Sequence, residues 1–363
     1  MFDDVLMKTL KIISIPLLVL ISLFSGCTDR SPIDPFLALE GTTYAVGDTS
    51  YLEIYPPFQQ GFSCPTSLLS GKDQLLYVAD MRNNRVVMMD VAGGYLGECH
   101  INQPTALAQD YKLDLLVGGV DSATGAGAIY RIHLFAASHQ MDSAKITMVR
   151  RESSHPQRRF VGIGIMPGSQ YLAARTGTDN SSSIDPDTRI MWFDTSDTYL
   201  TPITDLTTGS GSGINYIDYL SGFTTYPNSS DFIVLQRKIN GGAVDYGAIY
   251  MKYSQSADFQ GWTVPSSFDP AQSSADFIHL KQYIYPFGVT IDSKRLDVFI
   301  TDVAQDSVFK FTSKGVHKKE SFGKFTTGNR MLSPTGIAFY DKTLYVADST
   351  KNCIFRFKLS TDF

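Results

Sequence analysis

Three aspartates, Asp80, Asp302 and Asp348, each close a run of the same kind, Leu76-Tyr77-Val78-Ala79-Asp80 being matched by Leu344-Tyr345-Val346-Ala347-Asp348. Arg175 stands at the corresponding place in a third stretch and Arg237 one residue past it in a fourth. Carboxylates on one half of a face and guanidiniums on the other make a polarised pocket, suited to orienting a zwitterionic or peptide ligand. The competing role for the aspartates is local, since a carboxylate at a strand end caps the following turn by accepting backbone N–H bonds. No catalytic set accompanies these residues. His100, His133, His139, His155, His279 and His317 are scattered, no CxxC occurs, and Gly209-Ser210-Gly211-Ser212-Gly213 lacks the strand-to-helix setting of a nucleophile elbow. The loop from Gly177 to Thr188 gathers Asp179, Asn180, Asp185 and Asp187, but its spacing is not that of an EF-hand. No metal or other cofactor is therefore assigned.

What positions these residues is a repeat. Second strands are read at Leu76 to Asp80, Leu115 to Gly119, Tyr171 to Arg175, Phe232 to Gln236, Val298 to Asp302 and Leu344 to Asp348. Each is followed by another apolar run: Arg85 to Met89, Ala128 to Leu134, Arg189 to Phe193, Ala248 to Tyr253, Ser307 to Phe311 and Cys353 to Lys358. Innermost strands precede them at Pro65 to Leu69, Pro104 to Ala108, Phe160 to Ile165, Ile217 to Thr225, Pro286 to Ile291 and Pro334 to Phe339, several rich in small residues where backbones must converge. A period of roughly 40 to 60 residues suits four-stranded propeller blades. The expected fold is all-β, a six-bladed propeller of four-stranded antiparallel blades. The sixth repeat ends within a few residues of Lys358, whereas Thr49-Ser50-Tyr51-Leu52-Glu53-Ile54-Tyr55 has no partner, so the N-terminal strand is expected to complete the last blade and hide its edge.

The unit Pro334-Thr335-Gly336-Ile337-Ala338, then Leu344 to Asp348, then Asn352-Cys353-Ile354 resembles the NHL repeat, and the chain from Tyr51 onward resembles NHL and TolB-like propellers. Gluconolactonase-type propellers hold a divalent metal through Glu, Asn and Asp, the Asn lying in a Pro-Asn-Gly opening; here the openings read Pro65-Thr66-Ser67, Pro104-Thr105-Ala106 and Pro334-Thr335-Gly336. The zinc histidines of amidating-lyase propellers have no counterparts either.

The first residues give an address. Lys8 and Lys11 precede an uncharged apolar run from Ile12 to Phe24, too short for a membrane span, and Leu23-Phe24-Ser25-Gly26-Cys27 resembles a bacterial lipobox with Cys27 as the lipidated residue. Asp3 and Asp4 conflict with a basic leader, which a start at Met7 removes. Residues 1–26 are thus expected to be a lipoprotein signal, 27–48 a flexible tether containing Pro32 and Pro35, and 49–363 the propeller. Thr28 after the cysteine favours the outer membrane. With Cys27 acylated, Cys64, Cys99 and Cys353 are an odd set and form no disulfide framework. A net charge of −5 argues against nucleic acid. The expected role is a lipid-anchored envelope module, contacting the membrane through its N-terminal lipid, that binds or scaffolds a protein, peptide or glycan; a propeller hydrolase or lyase with a divalent metal in the central channel is the alternative.

Overall fold

The computed structural model describes residues 49–208, 213–238, 246–256, 258–265, 277, 282–323 and 330–363. The signal, Cys27 and the tether lie outside the described residues.

Strand β1 (Tyr51–Glu53) comes first. Blade one is β2 (Pro65–Ser70), β3 (Leu76–Asp80), β4 (Arg85–Met89) and β5 (Tyr95–His100); blade two is β6 (Ala106–Gln109), β7 (Leu115–Val120), β8 (Gly127–Ile132) and β9 (Ile146–Arg151). Blade three is β10 (Arg159–Ile165), β11 (Tyr171–Thr176), β12 (Arg189–Phe193) and β13 (Tyr199–Pro202); blade four is β14 (Tyr219–Thr225), β15 (Phe232–Arg237), β16 (Ala248–Gln255) and β17 (Gln260–Thr263). Blade five has β18 (Pro286–Ile291), β19 (Val298–Asp302) and β20 (Ser307–Phe311), and blade six β21 (Pro334–Tyr340), β22 (Thr343–Asp348) and β23 (Cys353–Leu359). All pairings within the blades are antiparallel. β1 pairs with β23, Tyr51 opposite Leu359 and Glu53 opposite Phe357, so the N-terminal strand closes the last blade as expected. Blade five departs from four strands: among the described residues its outer position is taken by irregular chain, with reciprocal Val308 and Phe322 backbone bonds of 2.7 and 3.0 Å.

The second strands are apolar on both sides because each serves two cores. Alternate side chains of a strand point to opposite faces. In β3, Leu76 and Val78 join the core shared with blade six, while Tyr77 and Ala79 join the core shared with blade two. The same division recurs around the ring, giving one buried cluster at each of the six blade junctions among the described residues. Aromatics fill these wedges: Tyr171 stacks on Phe193 at 4.9 Å between blades two and three.

At the axis the innermost strands approach so closely that side chains give way. A Cβ on Gly222 would lie 2.1 Å from the Phe287 carbonyl oxygen, and one on Gly288 2.2 Å from that of Thr335. Five innermost strands also carry a register break near their start, where Thr66, Val161, Ser221, Phe287 with Gly288, and Thr335 with Gly336 fall out of pairing. Hydroxyls at each junction meet a carbonyl of the neighbouring blade: those of Pro65, Phe160, Pro286 and Thr335 lie at these breaks, that of Pro104 just ahead of β6, and that of Ile165 at the far end of β10. Thr66 donates to Pro104 O (3.0 Å), Thr105 to Phe160 O (2.7 Å), Thr225 to Ile165 O (2.9 Å), Ser221 to Pro286 O (2.5 Å), Thr301 to Thr335 O (2.7 Å) and Thr335 to Pro65 O (2.7 Å). Every junction therefore has one such stitch.

Replacing Thr335 by Val keeps the shape and removes the donor, leaving the Pro65 carbonyl unpaired in a buried site. The expected cost is about 1–2 kcal/mol with an unchanged denaturant slope, measured by guanidinium unfolding.

Candidate functional site

Each innermost strand starts at one end of the ring and turns back into the second strand at the other. Asp80, Arg175, Arg237, Asp302 and Asp348 lie at or beside the ends of second strands, hence all at one end, here termed the aspartate end. The hairpins between first and second strands form the opposite, hairpin end.

The three aspartates are fully buried. Asp348 accepts the backbone N–H groups of Leu332, Ser333, Thr350 and Lys351 at 2.6 to 3.1 Å. Asp302 does the same for Ile284, Tyr285, Ala304 and Gln305. Asp80 takes the Ser63 N–H and the side chains of Asn83 and Arg85, each at 2.7 Å. Each pins the segment entering its own blade to the turn leaving the second strand, and none of the three is brought into a common pocket with another. The asparagines of the repeat are stitches as well. Asn84 and Asn352 both sit at φ +54°, in the left-handed region that asparagine tolerates, and their side chains accept Gln103 N–H (3.0 Å) and Cys64 N–H (2.8 Å) of the next blade.

Arg175 is 2% exposed and engaged throughout: Nη1 with Glu152 (3.0 Å), Nη2 with Asp185 (2.7 Å) and the Pro186 carbonyl, Nε with the Asp187 carbonyl. Arg158 bridges Glu152, Asp185 and Asp187 at 3.2, 2.8 and 2.8 Å. The acidic loop is thus neutralised by two buried arginines. Burial acts to raise these carboxyls, but hydrogen bonds and charge from Arg175 and Arg158 overcome it, bringing Asp185 down to about 2. Glu152 and Asp187 are likewise held below their usual range. A second network, Arg131 with Asp197 (2.6 Å) and Asp110 (2.6 Å), joins blades two and three toward the hairpin end. Arg237 differs from the other four. It has no ion pair among the described residues, and its guanidinium lies between the rings of Tyr219 (4.5 Å) and Tyr285 (4.6 Å).

A larger recess lies elsewhere, on the axis. A cavity of ≈ 790 Å³ opens among the hairpins and runs down the innermost strands as far as Thr66, Thr105 and Phe287. Its wall is uncharged: Ser67, Ser70 and Thr290 supply hydroxyls, and Phe223, Val289 and Phe339 apolar surface. Its charged lining residues lie toward the hairpins, with buried Lys310 paired to Asp297 (3.4 Å), Lys342 to Asp362 (2.9 Å), and Lys72 lying 4.8 Å over the Tyr111 ring. Lys72, Lys294 and Arg295 have no ion pair among the described residues. None of the five residues singled out from the sequence lines this cavity. The signal for it was present in the short hairpins Lys72-Asp73, Asp110-Tyr111, Asp292-Ser293-Lys294 and Asp341-Lys342, whose composition is also that of ordinary turns.

A metal of the gluconolactonase kind does not fit these residues. Thr66, Thr105 and Thr335, standing where that pattern has its asparagine, donate their hydroxyls to neighbouring carbonyls. Among the described residues no three of His, Cys, Asp and Glu gather as a metal site requires. Cys64, Cys99 and Cys353 are unbonded, and burial pushes the Cys99 and Cys353 thiols up to about 12.

No family model and no curated protein matches the chain. Solved structures do. A gluconolactonase from Xanthomonas campestris superposes with a TM-score of 0.55 at 14% identity, over 87% of this chain and 93% of that one. Auxiliary nutrient binding proteins from Bacteroides thetaiotaomicron and Bacteroides ovatus each give 0.57, at 10% and 12% identity, over 86% of this chain and 76% and 77% of theirs. At such identities the likeness establishes the fold: a six-bladed β-propeller.

Arg175→Met separates a structural from a ligand-binding arginine. Leaving Glu152 and Asp185 short of a buried partner is expected to cost about 3–5 kcal/mol at neutral pH. Because the folded carboxyls titrate lower than the unfolded ones, the native protein keeps this stabilisation above about pH 4 and loses it as pH falls toward 2. Melting temperature against pH should fall over that window, and less steeply in Arg175→Met.

Proposed function

We propose that this propeller is a binding module whose axial cavity takes a carbohydrate. The observation that carries the reading is the cavity itself: a large recess on the axis with hydroxyl, amide and aromatic groups in an uncharged wall. Its volume falls in the range of about 300–1,000 Å³ usual for small-molecule sites. Sugars present hydroxyl edges and apolar C–H faces together, which such a wall can match by hydrogen bonding and by packing on rings. The unpaired Lys72, Lys294 and Arg295 at the rim add attraction for saccharides carrying negative charge. That two propellers of the same fold are described as nutrient binding proteins is in keeping with this use of the scaffold.

The test is a glycan array followed by calorimetry, on the native protein and on Thr290→Trp, which fills the channel from β18. Binding of a neutral or acidic saccharide, weakened at least tenfold in the variant with the melting temperature kept, is the expected result. No saccharide bound by the folded native protein at millimolar concentration overturns the reading.

We further propose that Cys27 carries a lipid that tethers the propeller in a bacterial envelope, the lipobox-like Leu23 to Cys27 being the support. Cys27→Ala should abolish incorporation of labelled palmitate and move the protein from the membrane to the soluble fraction.

A further inference from the structure

At the aspartate end of five blades, the second-strand residue paired with the innermost strand just before its register break has a structural task. Asp302 and Asp348 gather backbone N–H groups, Asp80 one N–H with the side chains of Asn83 and Arg85, and Arg175 carbonyls and carboxylates. In blade four this task falls to Gln236, whose side chain accepts Asp218 N–H (2.8 Å) and donates to the carbonyls of Tyr216 (3.0 Å) and Tyr246 (2.8 Å). Arg237, the next residue, is released from it.

What Arg237 does instead is hold its guanidinium between two tyrosine rings that come from different blades, Tyr219 in β14 and Tyr285 just before β18. Its one hydrogen bond is a long contact of 3.5 Å from Nη1 to the Lys238 carbonyl. Nε is sealed from solvent with no acceptor. Nη2 donates to no acceptor among the described residues and is not sealed. The hydroxyls of Tyr219 and Tyr285 also make no hydrogen bond among the described residues. Stacking fixes the plane of the guanidinium and compensates part of its desolvation. It does not supply the anion that a planar fork of donors is shaped to receive. Nη2, open to solvent and without an acceptor among the described residues, is the donor at which a partner from outside the chain can pair.

We propose that Tyr219, Arg237 and Tyr285 form a clamp for the carboxylate of a small organic acid, at the aspartate end between blades four and five and separate from the axial cavity. The carboxylate pairs with Nη2 and with Nη1, replacing the long contact of Nη1 to the Lys238 carbonyl, while the rings hold the fork in place and exclude water from its faces. Phosphate is disfavoured because the donors available are one fork and two neutral hydroxyls, with no second cation among the residues that make the clamp.

The full-length protein is titrated with glucuronate, acetate and glucose by calorimetry and by NMR of ¹³C-labelled tyrosine rings. Glucuronate and acetate are expected to bind and to shift the Tyr219 and Tyr285 resonances, whereas glucose leaves those two rings unmoved. Arg237→Met should weaken glucuronate at least tenfold and Arg237→Lys, which keeps the charge but not the fork, nearly as much. Tyr285→Leu provides a variant that leaves the arginine in place and should lose affinity severalfold. Equal glucuronate affinity in the native protein and Arg237→Met overturns the proposal, as does a folded native protein that binds neither carboxylate. Acetate binding as tightly as glucuronate assigns recognition to the carboxylate alone and supports the clamp; glucose perturbing both rings equally with glucuronate would show sugar-face stacking and overturn it.

Discussion

Closing six sheets around an axis forces their innermost strands closer together than side chains allow, and the structure depends on how that crowding is met. Glycines at Gly222 and Gly288 remove the Cβ atoms that would strike a neighbouring carbonyl, and at four junctions a break in the pairing of an innermost strand turns a backbone carbonyl, that of Pro65, Phe160, Pro286 or Thr335, toward a neighbouring blade. A carbonyl left there without a partner would cost about 1–3 kcal/mol at each junction. One threonine or serine hydroxyl per junction prevents this. The apolar wedges between blades supply the bulk of the attraction, but these stitches set the register in which the wedges meet.

That constraint explains why the recurring letters of the repeat are poor guides to function. Thr66 and Thr335, Asp80 and Asp348, and Asn84 and Asn352 recur because each blade must be fastened to itself and to its neighbour in the same way. Their polar atoms are used up in doing so. A residue able to meet a ligand has to be one that the repeat does not need. Such residues are of two kinds here: the hairpin side chains around the axial cavity, and Arg237, which lies one place beyond the fastening position.

Much of the architecture could be read directly from the chain. The second strands stand within a residue of their expected bounds because burial on both sides makes them short, uninterrupted apolar runs, and the unpaired Tyr51 to Tyr55 segment announced the closure on β23. The equivalence of Asp80, Arg175, Asp302 and Asp348 was also legible as register, yet register does not tell what a carboxylate points at. Asp348 could face a channel or four N–H groups with the same letters around it. The partners of Arg175 come from Glu152 and from a loop that folds back on it, contacts set by tertiary packing that no spacing rule encodes. Blade five escaped the four-strand expectation because an outer strand packs on one side only, and irregular chain around Phe322 can cover the same edge.

A pocket shared by Asp80, Arg175, Asp302 and Asp348 would need equivalent positions of different blades to converge. The ring instead holds these positions apart, each fastened within its own blade. Convergence is possible at only two kinds of place: on the axis, where all innermost strands meet, and at a single junction, where two blades contribute side chains of unlike kind. The axial cavity is the first, with an uncharged wall that asks for a polar but uncharged or weakly charged ligand. The stack of Tyr219, Arg237 and Tyr285 is the second, and it exists because blade four uses Gln236 where blades one, five and six use aspartate. A propeller gains specificity where one blade departs from the pattern that fastens the rest, and in this chain the departure leaves a guanidinium whose needs the fold does not meet.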